Sequence, residues 1–134
     1  MIQLNYRDSK PIYEQIKDGI RRLIVSNSLA PDEKIPSVRE LAASLAINPN
    51  TIQKAYHELE AEGYLYSLPG KGSFVAKRNE VLDAREKELL SELDEVVTEL
   101  MYLSVKPTEL VTRVENLVKG GGQLDTGKQS KKEF

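Results

Sequence analysis

Two helix-start signals stand eleven residues apart in the first half of this chain, and they leave little freedom for what lies between them. Ser37-Val38-Arg39-Glu40 follows Pro36 directly and has the Ser-x-x-Glu pattern in which side chain and backbone cap each other. Asn48-Pro49 places a capping amide before a proline at the first helical position. Between them Val38, Leu41, Ala42 and Leu45 form an apolar face for a helix of about two and a half turns. Ala46-Ile47 is then too short for anything but a tight turn. The second helix buries Ile52, Ala55, Tyr56 and Leu59, and Gly63 supplies the left-handed residue that stops it. A short helix, a tight turn and a second amphipathic helix form a helix-turn-helix.

The flanks extend this outline. Ile12, Ile16, Ile20, Leu23 and Ile24 share one face of a helix that starts with Pro11 at its first position and fades near Asn27–Ser28, before a turn at Pro31-Asp32. Downstream, Leu65-Tyr66-Ser67-Leu68 and Ser73-Phe74-Val75-Ala76 are β-prone runs around Pro69-Gly70-Lys71-Gly72, which reads as a hairpin. Three helices and a hairpin make a winged helix over residues 1–78. The expected class is mainly α with a small β-hairpin: a winged helix-turn-helix domain followed by a two-helix segment.

Composition removes most other chemistry. There is no cysteine and one histidine, His57, which excludes disulfides and thiolate sites and makes a His-cluster metal centre untenable. No metal and no cofactor are expected. No apolar run approaches the eighteen or so residues of a membrane span, and the Gln3–Asp8 start lacks the pattern of a signal peptide. A soluble cytoplasmic protein is the expectation, without membrane contact. The net charge of −2 conceals an asymmetry: residues 1–78 carry +2, residues 79–119 carry −5 and the last fifteen +1. The front half can approach a polyanion and the middle segment cannot, although two solvated surfaces would explain so modest an offset equally well.

With Ile52, Ala55, Tyr56 and Leu59 inward, the helix from Asn48 turns Asn50, Thr51, Gln53, Lys54 and His57 outward. The N-terminal part of a recognition helix is what reaches base edges. Short amides there can read adenine, and the free N–H groups of the first turn favour phosphate. Arg39, in the first turn of the preceding helix, suits bidentate contact with guanine. In the hairpin tip, Gly70 and Gly72 let the backbone approach phosphate while Lys71 supplies a point charge. A structural reading stands beside each: Asn48 as a helix cap, Thr51 serving only the first turn, Arg39 as a solvated charge. The set shares one face, which favours DNA.

At this point the residues resemble a family. Lys34-Ile35-Pro36-Ser37-Val38-Arg39-Glu40-Leu41-Ala42, then Asn48 to Tyr56, then Leu59-Glu60-Ala61-Glu62-Gly63-Tyr64-Leu65 resemble the DNA-binding domain of GntR-family bacterial transcription regulators. Pro11-Ile12-Tyr13 and Gly70-Lys71-Gly72-Ser73-Phe74-Val75 match as well, so the likeness covers residues 6–77. It implies that Ser37 and Arg39 of the Pro-Ser-x-Arg-Glu-Leu segment lie at the DNA, with Arg39 reading bases. It implies contacts to bases and phosphates from Asn48, Asn50, Thr51, Gln53 and Lys54, and wing contacts from Gly70, Lys71 and Gly72. Gln53 and Lys54 stand where several relatives carry arginine.

From Leu82 the apolar residues Leu82, Leu89, Leu93, Val96, Leu100 and Leu103 step by seven, four, three, four and three, a heptad-like seam. Pro107 ends or restarts the helix, and Leu110, Val114 and Leu117 lead a second apolar face up to Gly120-Gly121-Gly122. A small winged helix cannot cover both stripes, so residues 79–119 read as a dimerisation segment and residues 120–134 as a polar tail bearing Lys128, Lys131 and Lys132. A homodimer places two recognition helices about 34 Å apart, matching half-sites of a near-palindromic double-stranded operator. The short two-helix tail resembles the YtrA-like subgroup, which implies a dimeric repressor. An unidentified small-molecule effector is left open, with no residue assigned to it. Glu86, Glu88, Glu92, Asp94, Glu95 and Glu99 read as a solvated helix face.

Two other classes compete. An enzyme needs a nucleophile, an acid–base pair or a cofactor loop, and Gly70-x-Gly72 opens no helix that would cradle a phosphate. The other rival is a winged-helix interaction module that docks a protein through the Leu82–Leu103 helix. Such a module has no use for Arg39, Asn50, Thr51 and Gln53 on one face beside a lysine-tipped wing.

Overall fold

Ser37 and Asn48 cap the two helices they announce. In the computed structural model, which describes residues 2–125, five helices and one hairpin follow in order. They are α1 (Ile12–Val25), α2 (Val38–Leu45), α3 (Pro49–Glu62), β1 (Leu65–Leu68), β2 (Gly72–Val75), α4 (Arg78–Tyr102) and α5 (Pro107–Asp125). This is the mainly helical, winged architecture expected.

The local chemistry explains the boundaries. At α2 the Ser37 hydroxyl accepts from the Glu40 N–H at 3.1 Å, and the Glu40 carboxylate accepts from the Ser37 N–H at 2.8 Å. Ala46 ends the helix in the left-handed conformation (φ 56), and the chain re-enters a helix three residues later. Asn48 Oδ1 accepts from the Asn50 N–H at 2.8 Å, with Pro49 at the first helical position. Pro11 sits one place earlier than expected: it is the N-cap of α1, in extended backbone, and its carbonyl accepts from the Glu14 and Gln15 N–H groups.

Ile16, Ile20 and Ile24 of α1, Ala42 of α2, and Ile52, Ala55, Tyr56 and Leu59 of α3 form one core with Ile35, Tyr64, Leu65, Val75 and Val81. The Tyr56 hydroxyl donates to the Pro36 carbonyl at 2.7 Å, tying α3 to the residue that precedes the α2 cap. Lys17 of α1 bridges Glu58 and Glu62 of α3 at 2.9 and 2.6 Å. Burial opposes the charge of Lys17, but its hydrogen bonds to both carboxylates outweigh that cost and raise its pKa.

β1 and β2 pair antiparallel with Leu65 opposite Val75 and Leu68 opposite Gly72. A third segment completes the sheet. The Ile35 N–H donates to the Ser73 carbonyl at 3.0 Å, the Val75 N–H to the Glu33 carbonyl at 2.9 Å, and Lys34 bridges antiparallel to Phe74. No local pattern in the sequence marks this pairing, because the partners of residues 33–35 lie some forty positions downstream.

The chain divides into two compact units between Lys87 and Glu88. The first turns of α4 belong to the winged-helix unit: Val81 is fully buried and Arg78 donates to the Ile24 carbonyl at 3.2 Å. In the second unit, Leu89, Leu93, Val96 and Leu103 of the seam are exposed and Leu100 is half-buried. On α5, Val114 and Leu117 are exposed and Leu110 half-buried, and Leu93, Met101, Pro107, Leu110 and Val114 line one apolar groove. Leu82, in the first unit, is exposed too. The helix α5 runs through Gly120, Gly121 and Gly122 to Asp125 rather than stopping at the glycines. Lys128, Lys131 and Lys132 of the expected tail lie outside the described residues.

Candidate nucleic-acid interface

Helix α2 packs on α3, and the hairpin follows α3 with its first strand against that same helix. Three exposed features of the winged-helix unit therefore hang on one helix: the start of α2, the start of α3 and the hairpin tip. Arg39 is the second residue of α2; Asn50 and Gln53 lie in the first half of α3. All three are exposed, and their side chains make no hydrogen bond or ion pair among the described residues. No acidic residue occurs on α3 before Glu58, and Glu58 is already held by Lys17. The leading half of α3 is thus polar to basic, but it offers no free first-turn N–H to a phosphate: Pro49 has none, and those of Asn50 and Thr51 donate to Asn48.

Other expected residues have intramolecular duties. Asn48 is a cap, its oxygen committed to the Asn50 N–H. The Ser37 oxygen accepts within the capping box, although a hydroxyl can still donate outward. Thr51 is half-buried and its N–H donates to the Asn48 carbonyl. The Lys54 ammonium stands over the Tyr13 ring, 3.9 Å from its centre. His57 is exposed on α3.

At the wing, Gly70 has φ 74, and a side chain there would meet nothing within 4 Å, so its backbone is open to an approaching group. The Lys71 side chain beside it is exposed, and the Lys71 N–H donates to the Leu68 carbonyl to close the turn. Gly72 is glycine for a reason internal to the protein. Its φ is 120, and a Cβ there would lie 2.9 Å from Lys34 Cε. Lys34 therefore passes over the wing at Gly72 and adds a second exposed ammonium near the lysine of the tip. In the sequence Lys34 belongs to the Lys34–Ala42 motif, and nothing local to it fixes the register that brings it over Gly72. The base of the wing is fixed by Asp32, which accepts from the Tyr66 hydroxyl at 2.8 Å and pairs with Lys77 at 3.2 Å. Those two partners, the tyrosine first, hold its carboxyl below the usual range.

Among the described residues no cluster of His, Asp and Glu is placed to hold a metal, and no helix is long and apolar enough to cross a membrane. The family described as "Bacterial regulatory proteins, gntR family" matches residues 12–75. The HTH-type transcriptional repressor YtrA of Bacillus subtilis (strain 168) is 35% identical over 130 residues, covering 93% of this chain and 100% of YtrA. The chain belongs to the gntR family of bacterial regulatory proteins. As a gntR-family protein it is a DNA-binding transcriptional regulator and not an enzyme. The uncharacterized HTH-type transcriptional regulator YhcF of the same organism is 37% identical over 117 residues, 87% of this chain and 97% of YhcF. A GntR family transcriptional regulator from Listeria monocytogenes shares the fold, with a TM-score of 0.64 and 32% identity over 81% of this chain and 96% of that one. Matches over nearly the whole of YtrA and YhcF are what the resemblance to the short YtrA-like subgroup implied.

Proposed function

We propose that this gntR-family chain is an operator-specific repressor that acts as a homodimer. The observation that carries the reading is the trio Arg39, Asn50 and Gln53: exposed, without intramolecular partners, and borne by two helices packed on each other. The leading end of α3 enters the major groove, where Arg39, Asn50 and Gln53 read base edges. Ser37, Thr51, Lys54, Gly70, Lys71 and Lys34 hold the phosphate backbone, which sets register without reading sequence. Asn48 and Gly72 serve the site by shaping it.

The second unit, residues 88–119 together with the exposed Leu82, supplies the dimer contact. Two apolar stripes on exposed helices favour a partner, and a second copy is the simplest one. Two-fold symmetry then calls for a near-palindromic operator. Repression is the mode favoured by the printed role of YtrA, and a small-molecule effector that relieves it fits the same design.

Fluorescence anisotropy with DNA from upstream of the protein's own gene, against scrambled DNA over a salt series, tests this. Binding about a thousandfold or more tighter to one sequence supports an operator-specific regulator. Equal, steeply salt-dependent binding to every upstream fragment tried and to scrambled DNA would remove sequence reading.

A further inference from the structure

The winged-helix unit contains a cavity of about 440 Å³ between α1, α2 and the Ile35–Pro36 segment. That volume falls within the roughly 300–1,000 Å³ that small-molecule sites occupy. Ile20 and Leu23 of α1, Leu41 and Leu45 of α2, and Ile35 form its wall together with Ile2 and Leu29, and no charged residue lines it. Two hydroxyl-bearing residues, Ser44 and Tyr56, are also among its lining. Ser44 Oγ is spent on the Leu41 carbonyl, and the Tyr56 hydroxyl is spent on the Pro36 carbonyl at 2.7 Å. We propose that this cavity is a binding site for a neutral, largely apolar small molecule carrying one hydrogen-bond acceptor, which captures the Tyr56 hydroxyl.

The lining dictates the chemistry. An ion would lose its hydration with no countercharge to meet it, so the ligand is uncharged. Apolar bulk gains by leaving water for walls of isoleucine and leucine. Ser44 Oγ bonds only within its own helix, whereas the Tyr56 hydroxyl links α3 to Pro36, so the Tyr56 hydroxyl is the polar group whose capture changes a contact between elements. Its transfer to a ligand acceptor releases Pro36, the residue directly before the Ser37 cap. The ligand also touches Leu41, two positions from Arg39 on the same eight-residue helix. Occupancy therefore loosens the seating of α2, and ligand and DNA oppose each other through it. This second step rests on the reading of Arg39 as a DNA contact; the site itself does not.

The probe is prodan, a neutral naphthalene ketone with one strong acceptor, added to the full chain with methyl-labelled Ile, Leu and Val. Saturable shifts at Ile20, Leu23, Leu41 and Leu45 are expected. Shifts confined to Leu93, Val114 and their neighbours on α4 and α5, or no shifts, would overturn the site. Leu45→Phe fills the cavity and abolishes those shifts; Leu23→Phe does so independently should the first variant fail to fold. In parallel, prodan should weaken operator binding about fivefold or more in the parent chain and not in the filled variant. Cavity shifts with unchanged operator affinity would overturn the coupling to α2. A chain that takes prodan in the cavity yet recognises no DNA sequence would sink the proposed function and leave the site standing.

Discussion

The Lys54 ammonium rests 3.9 Å above the centre of the Tyr13 ring, so a basic residue of α3 is held by an aromatic face of α1. An exposed cation over an aromatic ring contributes about 0.5–1 kcal/mol. Tyr13→Leu and Lys54→Met should each destabilise the fold slightly. Their double-mutant cycle, read by urea unfolding, should give a coupling of about 0.5–1 kcal/mol. A cycle that closes to zero would mean the pair is mere proximity.

Reading and holding separate by their response to sequence. Arg39→Ala should cost about 1–3 kcal/mol on the operator and relax preference at one base pair. Lys71→Ala should weaken every duplex alike and lower the salt slope by about 1. Equal losses for Arg39→Ala on operator and random DNA would contradict its role as a reader.

The proposed dimer contact has a plain test. Leu93→Asp combined with Val114→Asp puts charge on both exposed apolar stripes and should yield a monomer in sedimentation analysis while the winged-helix core keeps its helicity. An unchanged dimer would move the interface elsewhere on the chain.

Alkaline pH exposes the bond between α3 and Pro36. Burial first, then the nearby Glu40 charge, push the Tyr56 hydroxyl up to about 12. The unfolded chain releases that proton near pH 10, so between about pH 10 and 12 the folded state holds more protons and stability falls as pH rises. Tyr56→Phe should make that alkaline fall shallower. At neutral pH it should cost about 0.5–1.5 kcal/mol through the lost bond to the Pro36 carbonyl. Parallel alkaline limbs for parent and variant would show that Tyr56 titrates normally.

The glycines of α5 cost helix stability without a steric reason. A Cβ at Gly120 or Gly121 meets nothing within 4 Å, and neither has positive φ. Gly120→Ala and Gly121→Ala should each stabilise the helix by about 0.5–1 kcal/mol, seen as added helical circular dichroism. Lower helicity would mean that this stretch needs its glycines.

What could be read from sequence was what neighbours in sequence decide. Ser37 with Glu40, Asn48 with Pro49, and Gly63 set their helix ends within four residues, so the helix-turn-helix and its outward residues were legible. The turn at Pro31-Asp32 was legible too, but residues 33–35 were not, because a segment that bonds to Ser73 and Val75 leaves no local trace. The same gap hid Lys34. The contact of Tyr13 with Lys54 has no sequence signal because it depends on α1 lying against α3. The run of glycines signalled a stop, yet α5 passes through it, since glycine weakens a helix without forbidding it.

The pairing of β2 on both sides has a consequence for how such a wing can vary. Its central strand has β1 along one edge and residues 33–35 along the other, so its middle offers no place to insert a residue without breaking two ladders. Added length or exchanged sequence is confined to Pro69, Gly70 and Lys71, where the chain is exposed and the turn is closed by one bond. The wing behaves as a fixed mount with a replaceable tip. On the proposed reading of the interface, backbone affinity can be tuned at three residues while the anchorage of the segment that leads into α2, and with it the aim of Arg39, stays as it is.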